Sequence, residues 1–287
     1  MRWEGHRESE NVEDRRGRGP IARRGAAIGG GGLLLALLFA LITGRNPMEF
    51  IDAGGGPVDQ GAPYDGGPQG STGAPGDEAG KFASVILGST EDVWNQVFQK
   101  MGRRYEAPTL VLFENEVESA CGYTTSAVGP FYCGADRQVY IDLSFYRDLA
   151  QRFGAPGDFA QAYVLAHEIG HHVQNLLGIE RKVRQAQQQD PSQQNELSVR
   201  MELQADCFAG VWGAAFQRKG GLEQGDLEEG MRAAAAVGDD RIQKMSQGYV
   251  NPEGFTHGTS EQRQRWFNQG FRTGDPKQCD TFGARSL

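Results

Sequence analysis

The run Ala166-His167-Glu168-Ile169-Gly170-His171-His172 constrains the fold more than any other feature of the chain. In a helix, His167 and His171 lie one turn apart on one face, with Glu168 about 100° round from His167. Two imidazoles at this spacing form part of a zinc site, and the glutamate between them is placed to take a proton from a water that the metal activates. A chain carrying this run has to bury a helix against elements that complete the coordination. The flanking residues agree. Ala162, Leu165, Ala166, Ile169, Val173, Leu176 and Leu177 recur at three- and four-residue steps and make a broad apolar stripe. Asp158, with Gln161 three residues on, reads as an N-cap with its capping-box partner, and Gly178 as the C-terminal stop. Gly170 lowers helix propensity by about 1 kcal/mol relative to alanine, so another chain segment or a substrate is expected to pass close to it. His172, about 100° from His171, is assigned a structural role.

A zinc site with two histidines needs a third protein ligand and leaves a fourth position for water. The segment from Asn195 to Lys219, stopped by Gly220 and Gly221, reads as a second helix. On it Glu202 and Asp206 are four apart and share a face, bordered by Leu203, Cys207, Phe208, Val211 and Trp212. This fits a division in which Glu202 binds zinc and Asp206 accepts the ring N–H of a ligand histidine, fixing its tautomer. Glu180 and Glu196 compete for the third position, although neither sits in so apolar a stretch. The pattern in which a third histidine follows on the same segment is excluded, because Gln174 and Leu177 stand where its glycine and histidine would fall.

Two strands are expected before the helix, Pro108 to Phe113 and Val139 to Leu143, so the domain reads as mostly helical α+β with a small sheet. The second strand is either a core strand or an exposed edge able to pair with an extended peptide. His257 precedes Gly258 and Thr259, and Thr259 with Gln262 reads as the cap of a helix reaching about Gly270. An imidazole there either stabilises an oxyanion or makes a structural hydrogen bond; Tyr249 is a weaker candidate for the first role.

Residues 25–44 run through Leu33 to Ile42 without a charge, long enough to span about 30 Å of hydrocarbon. Arg15, Arg16, Arg18, Arg23 and Arg24 closely precede the run and only Arg45 closely follows it, so an uncleaved transmembrane anchor with a cytoplasmic N-terminus is expected; a cleaved signal peptide is the competing reading, and no A-x-A site follows. Residues 1–24 mix seven arginines with five acids and are expected to be a disordered tail. Residues 45–80 read as a Gly- and Pro-rich linker and 81–287 as one compact domain. All four cysteines fall in that domain without C-x-x-C spacing. Cys121 is expected to pair with Cys133, and Cys207 with Cys279, in an oxidising compartment. The net charge of -8 argues against a nucleic-acid partner.

Several segments carry a resemblance to a known family: Glu118 to Gly122, Gly129 to Cys133, Asp136 to Leu143, the HEIGHH run, Glu202 to Cys207, and Phe255 to Ser260. Over residues 81–283 the chain resembles the bacterial putative neutral zinc metallopeptidases, a membrane-anchored group related to the glutamate-zincins. The resemblance implies a zincin-like domain with zinc on His167, His171 and Glu202 and with Glu168 as general base. The expected protein is a single-pass bacterial inner-membrane zinc metallopeptidase, one Zn2+ per chain, with its catalytic domain outside the cytoplasm and a peptide or protein substrate. A zinc-stabilised envelope scaffold and a cell-wall amide hydrolase are the alternatives.

Overall fold

Runs rich in Leu, Val, Ile, Tyr and Phe become the two central strands, β3 (Thr109–Phe113) and β7 (Gln138–Asp142), which pair in parallel from Thr109 opposite Gln138 to Phe113 opposite Asp142. Leu110 to Phe113 and Val139 to Ile141 are all buried, as expected for parallel strands covered on both faces. The structure is a computed structural model that describes residues 1–17, 70–73 and 75–287. Beside β3 lies β1 (Val12–Asp14), parallel to it, and then β2 (Ser71–Thr72), antiparallel to β1. On the other side β6 (Phe131–Cys133) runs antiparallel to β7. The sheet order is thus β2-β1-β3-β7-β6, and β4 (Glu116–Ser119) and β5 (Gly122–Thr125) form a separate hairpin.

The helices are α1 (Glu78–Lys100), α2 (Phe145–Gln151), α3 (Asp158–Leu177), α4 (Ile179–Gln189), α5 (Gln194–Arg218), α6 (Asp226–Ala236), α7 (Asp239–Gln247) and α8 (Ser260–Thr273). α3 carries the HEIGHH run through the centre of the molecule, packed against α1, α5 and α6. Phe159 on α3 stacks on Trp212 of α5 at 5.8 Å, which ties together the two helices that the metal motif needs side by side. α8 lies along α5 at close range: a Cβ on Gly270 would come within 1.9 Å of the Cys207 carbonyl oxygen, and one on Gly210 within 2.1 Å of that of Phe267. Disulfides join Cys121 to Cys133 and Cys207 to Cys279, so the C-terminal segment is fastened to α5.

The mostly helical α+β reading holds, and several expectations need correction. β7 lies between β3 and β6, so it is a core strand and cannot take an extended peptide at its edge. Asp158 does not cap α3. Gly157, at φ 120°, is the N-cap, and the Phe159 N–H donates to Glu229 Oε2 on α6 at 3.2 Å. The Asp158 carboxylate instead meets the α-ammonium of Met1 at 2.8 Å. Residues 1–17 are not a disordered tail, since Val12–Asp14 completes the sheet. The domain starts before residue 81: β2 is part of the sheet, and Asp77 caps α1 by accepting from the Gly80 N–H at 3.0 Å. No helix among the described residues is long and apolar enough to cross a membrane, so a transmembrane helix is not part of the observed fold; the span expected over 25–44 lies outside the described residues.

Candidate metal centre

The 3.6-residue repeat of α3 brings His167 and His171 ring to ring, with centroids 4.8 Å apart. α5 crosses their face and delivers Glu202. One carboxylate oxygen of Glu202 lies 3.1 Å from His167 Nε2 and the other 3.4 Å from His171 Nε2. One ligand atom from each of these three residues falls within 4.8 Å of the others. The rival acids are engaged elsewhere: Glu180 pairs with Arg184 and Asn175, and Glu196 with Arg200.

Each histidine is held from behind at Nδ1, which leaves Nε2 pointing at the shared centre. His167 Nδ1 is 2.8 Å from Asp206 Oδ1, the contact expected from the sequence. His171 Nδ1 is 2.9 Å from Gln174 Oε1, and the Gln174 amide donates to the Met201 carbonyl at 2.8 Å. Gln174 lies one turn beyond His171 and reads as an ordinary polar residue until α5 is placed beside it. A fixed tautomer with Nε2 as the free donor is what a metal requires of a histidine.

Asp206 is fully buried and its carboxylate is saturated. Arg263 on α8 clasps both oxygens, Nε to Oδ2 at 2.8 Å and Nη2 to Oδ1 at 2.9 Å, and the Tyr163 hydroxyl donates to Oδ1 at 2.5 Å. Burial alone would raise the Asp206 carboxyl, but the charges of Arg263 and His167 and their hydrogen bonds hold it below the usual range. Nothing in the sequence marks Arg263 as buried, since an arginine on an amphipathic helix normally faces solvent. Burial also acts against Glu202, yet His171, His257 and the His167 hydrogen bond keep it well below the ordinary carboxylate range. For His171, burial is outweighed by the charge and hydrogen bond of Glu202, which lift the ring to about 10. Six charged or chargeable side chains, Asp206, Arg263, Glu202, His167, His171 and His257, therefore converge in one place, and such a cluster is costly unless paired or metal-bound. Glu168 is also buried, and that burial raises its carboxyl against the opposing pull of His171 and His167.

His257 reaches this centre from the loop before α8. Its Nδ1 is 3.1 Å from Asp239 Oδ1, and Asp239 Oδ2 accepts the backbone N–H groups of Thr256, His257 and Gly258 at 2.7, 2.6 and 3.0 Å. One buried carboxylate thus fixes both the loop and the ring. Burial lowers the His257 pKa, but Glu202 and Asp239 raise it more, and Glu202 is lowered in return. Thr259 and Gln262 form the expected capping box. Tyr249 stands 64% exposed and is no part of this cluster. His172 is fully buried, 2.7 Å from the Glu106 carbonyl and 3.1 Å from the Tyr132 hydroxyl, and has the structural role expected of it.

The putative neutral zinc metallopeptidase family matches residues 1–282. The chain belongs to this family. The match takes in the N-terminal strand β1 as well as the region from 81 onward. Among the family's neighbours in sequence, the uncharacterized protein YpfJ of Escherichia coli strain K12 is 54% identical over 297 residues, covering 99% of each chain. The uncharacterized protein Rv2575 of Mycobacterium tuberculosis strain H37Rv is 43% identical over 223 residues, covering 74% of this chain and 75% of its own. No solved structure matches the chain. Zinc is the metal that the family implies, and the donor set fits it: two imidazole Nε2 atoms and a carboxylate, each histidine backed by an oxygen acceptor.

Proposed function

We propose that this protein is a zinc-dependent metallopeptidase that holds one zinc ion on His167, His171 and Glu202 and hydrolyses peptide bonds with Glu168 as general base. The observation that carries the reading is the convergence of those three ligands within 4.8 Å, with each histidine held from behind at Nδ1. Zinc so held would supply Lewis acidity, lowering the pKa of a water to about 7 and polarising a carbonyl. Glu168, buried one residue from His167, takes the proton of the attacking water and passes it to the leaving amine. Asp206 keeps His167 in its Nδ1–H form. His257, oriented through Nδ1 by Asp239 and favoured in its protonated state, donates a hydrogen bond to the oxyanion that develops on the carbonyl. An extended substrate would lie along β6, which ends the sheet and packs beside α3, instead of the enclosed β7. The two disulfides support a working place outside the reducing cytoplasm.

The test is zinc quantification together with cleavage of a peptide library by the full chain and by Glu168→Gln. Equal zinc in both, with cleavage by the wild type alone, is the expected result. A zinc-loaded wild type that cuts no peptide would overturn the proposal.

A further inference from the structure

Residues 1–17 are bound into the domain along most of their length. Glu91 on α1 is only 4% exposed, and three N-terminal side chains surround its carboxylate: Ser9 Oγ at 2.6 Å and Asn11 Nδ2 at 2.8 Å from one oxygen, and Arg7 Nη2 at 2.8 Å from the other. The Ser9 backbone N–H donates to the Ser84 carbonyl at 3.1 Å. A Cβ on Gly88 would lie 2.6 Å from the Arg7 carbonyl oxygen, so α1 has a bare backbone where this segment crosses it. Val12 is buried in the core, and β1 sits between β2 and β3. These are the contacts of a component of the fold.

The pairing of β1 with β2 adds a constraint on topology. Glu13 faces Thr72 and Asp14 faces Ser71 in antiparallel register, and facing residues in such a pair are about 5 Å apart. The chain therefore leaves the sheet after Gly17 and returns to it at Gly70 at the same corner. A single crossing of a bilayer would put about 30 Å of hydrocarbon between these two points. We propose that residues 1–17 and 70–287 are two parts of one folded domain and lie in one compartment, on the same side of any membrane the protein meets. A tail in the cytoplasm and a catalytic domain outside it are incompatible with β1 in its place.

Two measurements on the full chain in host cells test this. Glu10→Cys and Lys182→Cys place single new thiols at exposed positions on the N-terminal segment and on α4. In intact spheroplasts treated with a membrane-impermeant maleimide, the two sites are expected to behave alike, both labelled or both protected until lysis. Labelling of one site and protection of the other would overturn the proposal. The second measurement is a cross-link. The Gly73 N–H donates to the Val12 carbonyl at 2.9 Å, which makes Val12 and Gly73 a hydrogen-bonded pair and leaves Glu13 and Thr72 as the closer, non-hydrogen-bonded pair. With Glu13→Cys and Thr72→Cys together, mild oxidation of membranes before solubilisation should join the two positions, so that fragments cut within 18–69 separate only on reduction. Failure of the cross-link to form would show that β1 is not in the sheet, and would overturn the proposal as well.

Discussion

Replacing Gly170 by alanine adds one methyl group at the point where the metal helix meets the helix that supplies Glu202. That methyl carbon would lie 2.9 Å from the Ala205 carbonyl oxygen, 3.0 Å from its Cα and 3.2 Å from its Cβ. Comfortable contact between such atoms is about 3.5 to 4.0 Å, so α3 and α5 must part by roughly half an ångström. Overpacking of this kind costs about 1 to 3 kcal/mol, and alanine recovers about 1 kcal/mol of helix propensity. The net loss is about 1 kcal/mol, which for a domain of this size lowers the melting temperature by roughly 2 to 4 °C. The effect on metal binding should be larger in proportion. His167 and His171 stand on one side of this contact and Glu202 on the other, next to Ala205 in the same helix. Zinc distances tolerate shifts of only about 0.2 Å, so a drop in zinc affinity of about tenfold is expected, similar to the loss of a supporting hydrogen bond. Chelator competition would measure the affinity and calorimetry the stability, with Gly170→Val as a larger step in the same direction. Wild-type zinc affinity in Gly170→Ala, with a melting temperature equal to or above the wild type's, would refute the argument that this contact sets the spacing of the ligands.

Three further outcomes are expected. Asp206→Asn should weaken zinc binding by about 10- to 100-fold, because the amide cannot both accept from His167 and neutralise Arg263; chelator competition again provides the reading, and an unchanged affinity would count against the role given to Asp206. His257→Ala should lower turnover strongly with zinc content and KM little changed, and Asp239→Asn should do so more mildly by loosening the loop; loss of zinc in His257→Ala would contradict the placement of that ring. His172 is held at about 4, below its ordinary 6.5, by burial. Its unfolded state binds the proton that its folded state refuses, so the stability held at neutral pH is lost as pH falls from 6.5 to about 4, by about 3 kcal/mol. Denaturant unfolding of His172→Gln against the wild type across that window should show the difference narrowing at low pH, and a constant difference would refute the assignment.

The parts of the site that could be read from the sequence are those that depend on spacing within one helix. His167, Glu168 and His171 keep their relation in any α-helix, as do Glu202 and Asp206, and the Cys and Thr259-Gln262 pairings follow from short-range chemistry and counting. The disulfides and the core status of the α3 stripe came out as expected. What could not be read depends on which segments meet. Gln174, Arg263 and Asp239 are ordinary polar residues until α5 and α8 are laid against α3, when each fills a hydrogen-bonding need that no local pattern announces.

The N-terminus shows the same division most plainly. Residues 1–17 are charged, short and poor in apolar pattern, and by composition they read as a tail. Val12 is their one buried hydrophobic residue, and the edge of β3 with the buried Glu91 supplies the rest of the reason that they fold. By itself the sequence determined the chemistry of the metal helix, because a 3.6-residue period is local and every needed atom lies within one turn. Only the tertiary structure decided what surrounds that helix, namely the Asp206–Arg263 clasp and the His257 loop, and that the N-terminal strand joins the sheet, because partners distant in the chain are chosen by the burial and pairing of groups that have no meaning until they touch.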